Sequence, residues 1–165
     1  MANKPARPPS TLQLIRDAIS AGQIPPVARL VGFRLTRIAR GSATIELEAG
    51  PRHRNPMGTL HGGIICDVAD AAVGMAYAST LGANESFTTI ELKVNFLRPV
   101  WAGHVVARGR MIRKGRTMGL LACRIVDDQG KLIAYATSTC LTLPGGPGTG
   151  LSRGQRSSAR AKRTP

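Results

Sequence analysis

The stretch Asn55-Pro56-Met57-Gly58-Thr59-Leu60-His61-Gly62-Gly63 leads into an apolar run whose only acids are Asp67 and Asp70. A glycine turn feeding a helix is suited to a developing negative charge. The first helical N–H groups have no partner within the helix, and the macrodipole adds positive potential there. A carboxylate in a greasy helix is costly to desolvate unless something needs it. An amide poised for an oxyanion, together with a carboxylate base, suits hydrolysis of an activated carbonyl.

Helix geometry restricts how these groups can cooperate. Gly62 and Asp70 are eight residues apart, a rise of about 12 Å along a straight helix. One carbonyl carbon cannot reach both within a single chain, so a site that uses both takes Gly62 from one subunit and Asp70 from another. His61 and Asp70 point about 180° apart, which excludes a His–Asp dyad within one chain. Asp67 and Asp70 differ by about 60° on the helical wheel, so either could be the base. His61, in the first turn, reads as a residue that shapes the loop or touches the substrate end.

The elements that must hold these residues follow from periodicity. Leu12, Ile15, Ala18 and Ile19 predict a short amphipathic helix over 11–22, broken by Ile24-Pro25-Pro26. Strands are expected at Val31–Ala39 and Ala43–Glu48, then a loop over 50–60 and a helix from His61 to Leu81 that is apolar on most sides. Four strands follow: Phe87–Leu97, His104–Arg113, Thr117–Val126 and Lys131–Thr142. Their short links imply an antiparallel meander. In the first of them Ile90, Leu92, Val94 and Phe96 share one face, with Thr89, Glu91, Lys93 and Asn95 on the other. The resulting class is α+β, a long antiparallel sheet wrapped around a central helix.

Of the 165 residues, 1–10 and 144–165 are rich in Pro, Gly, Ser and basic side chains with little to bury. They read as a disordered N-terminal segment and a disordered basic tail flanking one domain over 11–143. The two ends hold seven basic residues and no acid, which leaves the domain at +7 of the total +14. That balance suits a polyanionic partner such as a nucleotide-bearing cofactor or a nucleic acid. No helix-turn-helix or aromatic-basic surface is visible, so nucleic acid is not the expected partner. No apolar run is long enough to span a membrane, and no secretory signal layout is present, which points to the cytoplasm. Cys66, Cys123 and Cys140 lack metal spacing and read as reduced core thiols. His53, His61 and His104 are too scattered for a metal triad.

The Asn55-to-Gly63 motif, Asp70 nine residues after His61, Phe96-Leu97-Arg98-Pro99 and Lys114-Gly115-Arg116-Thr117 together resemble the hotdog-fold acyl-CoA thioesterases. Within these the phenylacetate-pathway (PaaI-like) enzymes and their thioesterase superfamily member 2 relatives are the nearest group. The resemblance spans roughly residues 30–142. It implies a hotdog fold, a homodimer that pairs to a homotetramer, and hydrolysis of an aromatic or medium-chain acyl-CoA with neither metal nor cofactor, coenzyme A being part of the substrate. By position it implies Asp70 as nucleophile or general base, the Gly62 amide as carbonyl polariser, Asn55 as a substrate- or water-orienting group, and Thr89 as the residue that positions water. His61, Gly63, Arg98, Lys114, Gly115, Arg116 and Thr117 would contact substrate. Two other readings share the fold: a non-catalytic acyl-CoA sensor or nucleic-acid-binding protein, and an enoyl-CoA hydratase.

Overall fold

The computed structural model describes residues 9–145. Its elements are α1 (Thr11–Ser20), α2 (Pro26–Val31), β1 (Phe33–Ala39), β2 (Ser42–Ala49), α3 (Gly62–Ala78), β3 (Glu85–Phe96), β4 (Gly103–Lys114), β5 (Met118–Asp127) and β6 (Leu132–Pro144). The six strands form one antiparallel sheet in the order β1-β2-β4-β5-β6-β3. α3 lies across the sheet's inner face. This is the expected hotdog arrangement.

The core is the seam between α3 and the sheet. Val68, Ala69, Ala72, Val73, Ala76 and Tyr77 on the helix are fully buried against Ile45, Leu47, Val105, Leu121, Cys123 and Ile125. Small residues let the helix sit close. A Cβ built on Gly109 of β4 would lie 2.4 Å from the Ala72 carbonyl oxygen. Only a glycine allows that separation between helix backbone and strand. Tyr77 anchors the C-terminal half of α3, with its hydroxyl 2.6 Å from Thr142 Oγ1 and its ring tilted against Phe87.

Four features differ from the sequence expectation, each for a physical reason. Pro26 does not merely break the chain: it opens α2, because proline at the first helical position loses an N–H that would be unpaired anyway. Val31 therefore ends a helix, and Gly32 caps it in the left-handed conformation (φ +93°) before β1 begins at Phe33. α3 stops at Ala78 and not at Leu81, since Ser79 and Thr80 turn their hydroxyls onto the Ala76 and Tyr77 carbonyls.

The meander holds for β4, β5 and β6, but β3 pairs with β6 at the far edge. The connection over residues 97–102 can span the roughly 14 Å of three strand spacings. Finally, β3 is not a strict two-residue alternation. Its register with β6 shifts between Thr89 and Glu91, so Ile90 is an extra residue. Phe87 and Thr89 face inward before this bulge, and Leu92 and Val94 after it. Ile90 is pushed outward, 53% exposed.

The Gly109 contact yields a stability test. Gly109→Ala is expected to lower unfolding free energy in urea by about 1–3 kcal/mol or more, because the new methyl meets backbone and not a movable side chain. An unchanged midpoint would show that α3 rides further from β4.

Candidate active site

The loop before α3 is built by Asn55. Its side-chain oxygen accepts the Met57 and Thr59 amides at 3.0 and 3.1 Å, and its Nδ2 donates to Thr59 Oγ1 at 2.9 Å. Both lone-pair directions of the oxygen are used within the loop, which leaves one N–H free for anything else. The loop closes with the Leu60 amide on the Val100 carbonyl and the His61 amide on the His53 carbonyl. His53 is buried: its Nδ1 accepts the Gly50 amide, and its Nε2 lies 2.8 Å from the Val31 carbonyl oxygen and 3.1 Å from Arg52 Nε. This histidine, given no part by the sequence pattern, pins the loop to the end of α2.

His61 is the N-cap of α3, its ring Nδ1 accepting the Gly63 amide at 2.9 Å. The ring thereby takes the amide next to Gly62. Among the described residues the Gly62 N–H has no recorded acceptor. Gly62 lines a surface pocket of about 320 Å³ together with Asn55, Ile65, Phe96, Leu97, Arg98 and neighbouring loop residues. The Phe96 ring lies against Gly62. Arg98 makes a 3.4 Å contact to Asp127 at one side of the pocket.

Asp70 is elsewhere. It sits half-buried in the middle of α3, and Thr89 Oγ1 donates to its Oδ1 at 3.0 Å. The bulge at Ile90 creates this contact. Continuous alternation from Leu92 and Val94 would have turned Thr89 to the other face. Asp67 is exposed and has no recorded side-chain hydrogen bond among the described residues. The structure thus separates the two acids that the helical wheel left equivalent.

The basic turn is placed at the other end. Lys114 donates to the Thr80 carbonyl at 3.0 Å and lies 5.5 Å from the centre of the Tyr77 ring, just beyond the C-terminus of α3. The Gly115 amide bonds to the Met118 carbonyl, and the Thr117 carbonyl accepts the Thr142 amide. Arg116 is exposed. Asn55, His61, Gly62, Gly63 and Arg98 therefore gather at the N-terminal end of α3, Asp70 and Thr89 midway, and residues 114–117 beyond its C-terminus. The helix is 17 residues long, so the outer two groups stand more than about 20 Å apart. No single copy of the chain collects them all.

The thiols are set by burial. Cys140 lies beneath Thr89, with Sγ 4.0 Å from Oγ1. Burial pushes its pKa up, the Asp70 charge adds to the shift, and the Thr89 and Ser138 hydroxyls counter it. Cys123 is pushed up to about 12 by burial. Cys66 is raised by burial and then by Asp67.

The comparisons with known proteins agree with the fold. The family model described as "Thioesterase superfamily" matches residues 57–134. A Saccharolobus solfataricus protein whose name assigns it to the esterases is 31% identical over 110 residues, 67% of this chain and 78% of its own. The 1,4-dihydroxy-2-naphthoyl-CoA hydrolase of Listeria monocytogenes is 27% identical over 109 residues, 66% of this chain and 89% of its own. A thioesterase family protein from Silicibacter pomeroyi superposes with a TM-score of 0.73 at 27% identity, covering 82% of this chain and all of that one. The E. coli PaaI protein shares the fold, with a TM-score of 0.74 at 21% identity over 84% of this chain and 99% of that one. No helix among the described residues is long and apolar enough to cross a membrane.

The raised thiol pKa values predict little thiolate at pH 8 in the native protein. Titration with a chromogenic disulfide should release at most one fast equivalent before denaturation, from Cys66, and three after it. Two or more fast equivalents would contradict the burial of Cys123 and Cys140. With these relatives and this architecture together, the chain belongs to the thioesterase superfamily and is a thioester hydrolase of the hotdog fold.

Proposed function

We propose that this chain hydrolyses acyl-CoA thioesters with an aromatic or medium-chain acyl group, in composite sites formed between two copies. The reading rests on one observation. The open Gly62 amide and the Thr89-bonded Asp70 carboxylate lie on one helix, too far apart to share a substrate.

β3 supplies the means of joining two copies. It is a 12-residue strand at the sheet edge, next to β6 on one side only. Ile90 and Phe96 on it are 53% and 54% exposed, and Leu97, Met57 and Trp101 nearby are exposed as well. A long apolar edge is a template for another strand. Antiparallel pairing of β3 with its own copy about a two-fold axis near Leu92 and Lys93 sets Phe96 of one copy beside Thr89 of the other. Phe96 lies against Gly62, and Thr89 holds Asp70. The symmetry thus brings each amide toward the other copy's acid, twice per dimer.

In such a site the thioester carbonyl oxygen accepts the Gly62 N–H, favoured further by the positive end of α3. Thr89 donates its hydrogen bond to Asp70, so its oxygen remains free to accept a hydrogen bond from a water molecule. As that water attacks the carbonyl, Asp70 takes one of its protons and the thiolate of coenzyme A leaves, to be protonated in turn. In the alternative the carboxylate attacks the carbonyl directly, the thiolate leaves, and water hydrolyses the resulting anhydride to free acid and Asp70 carboxylate. The apolar pocket walls Leu60, Ile65, Phe96, Leu97 and Val100 suit the acyl group. The Listeria relative, named for an aromatic acyl-CoA, supports that class. Arg98 is the cation beside the pocket. The turn of Lys114, Gly115, Arg116 and Thr117 would meet the nucleotide end from the other copy, with Arg116 its free charge. A pairing of dimers into a tetramer completes the expected assembly.

Two substitutions remove one group each. Asp70→Asn should leave a folded dimer with turnover lowered about 10²–10⁴-fold, read by free thiol release from a panel of acyl-CoAs. Gly62→Pro deletes the amide hydrogen at the helix's first position, where proline is well tolerated. Its turnover should fall about 10²–10³-fold while the protein stays folded, the Phe96 ring shifting slightly to admit the new Cβ. Wild-type rates in either variant would remove that group from the chemistry.

A further inference from the structure

β6 turns a row of small residues toward the core: Ala134, Ala136, Ser138 and Cys140 are all fully buried. Ser138 is the one hydroxyl in that row, and a hydroxyl taken out of water needs a partner. It donates to the Glu91 carbonyl of β3 at 2.8 Å. Among the described residues this is the one hydrogen bond from a β6 side chain to the backbone of β3.

Glu91 is where the β3 ladder changes step. Thr89 pairs with Cys140 and Glu91 with Thr139, so Ile90 is the extra residue, and Leu92 pairs with Ser138. A bulge disrupts the ladder, and buried backbone groups beside it need other partners. The Ser138 hydroxyl is such a partner, placed on the residue that follows the extra one. Without that extra residue Thr89 would face away from α3, out of reach of Asp70. The hydroxyl thus favours the register in which Thr89 Oγ1 meets Asp70 Oδ1 at 3.0 Å. Cys140 fills the space between the two hydroxyls, its Sγ 4.0 Å from Thr89 Oγ1, and both act on its thiol.

We propose that Ser138 is a positioning residue for thioester hydrolysis, holding the β3 bulge that aims Thr89 at Asp70; the proposal rests on the roles given to those two residues above. Ser138 is fully buried, so it reaches neither substrate nor attacking water. It works through Thr89. Its loss lets β3 relax toward regular pairing, and the threonine hydroxyl then leaves the carboxylate. A misplacement of about 1 Å in such a group can cost about 10²-fold in rate. Gly62, Phe96 and Arg98 lie beyond the other end of the bulged stretch, so substrate binding is spared.

The test is a double-mutant cycle on the full chain, with kcat and KM measured by thiol release from benzoyl-CoA and from decanoyl-CoA. Ser138→Ala should lower kcat about 10- to 100-fold and leave KM within about twofold. Thr89→Val should lower kcat at least as far. In the Thr89→Val background Ser138→Ala should add less than about twofold, because the group it aims is already gone. Melting followed by circular dichroism sets an assay temperature well below the transition of every variant. If Ser138→Ala does not fold, Ser138→Cys, which keeps the shape with a weaker donor, takes its place with the same outcomes.

Wild-type kcat in the Ser138 variant, beside a lowered kcat in Thr89→Val, would overturn the proposal and leave the reading of the site intact. An equal drop in both backgrounds would also overturn it, since Ser138 would then support the core alone. Wild-type kcat in Thr89→Val would remove that residue's role in the site, and this proposal with it.

Discussion

An α-helix rises about 1.5 Å per residue, and that fixed pitch governs the chemistry open to this chain. Gly62 and Asp70 lie in one unbroken helix. Their spacing cannot be shortened without breaking α3, and α3 cannot bend because small residues press it into the sheet at Gly109. The same close packing that holds the domain together thus keeps the amide and the carboxylate apart. A second copy is the economical way to bring complementary halves to one substrate, and a two-fold axis does it for both halves at once.

The bulge at Ile90 links this constraint to the sheet edge. One extra residue turns Thr89 inward onto Asp70 and pushes Ile90 outward. The carboxylate gains a donor, and the edge gains an apolar side chain that a neighbouring strand could cover. Bulges often re-aim a side chain in this way beside a working site. At the other end of β3, the Phe96 ring against Gly62 ties the edge to the open amide. Both halves of the proposed site are therefore attached to the strand through which copies would join.

Much of this was readable beforehand. The apolar helix, the strand order along the chain and the loop motif all follow from periodicity and glycine placement, and the helical pitch already set Gly62 and Asp70 too far apart to meet at one carbonyl carbon. What the sequence concealed depends on tertiary partners. A β-bulge leaves no mark in a run of alternating residues, so the alternation set Thr89 on the face opposite Leu92 and Val94. That Asp70, and not Asp67, meets the Thr89 hydroxyl needed the strand that packs on the helix. Pro26 read as a breaker because nothing local tells an N1 proline from a terminator. Asn55 was legible as important, but its bonds show it first as the builder of the loop.

Subunit complementation addresses the shared site most directly. Asp70→Asn and Gly62→Pro proteins, each nearly inactive alone, are mixed, dissociated and allowed to reassociate. A site drawn from two copies predicts that activity returns to about a quarter of the wild-type value. Half of the dimers would then be hybrids, each with one intact site. If the mixture stays as inactive as its components while subunit exchange is verified, amide and acid act within one chain and the account is wrong.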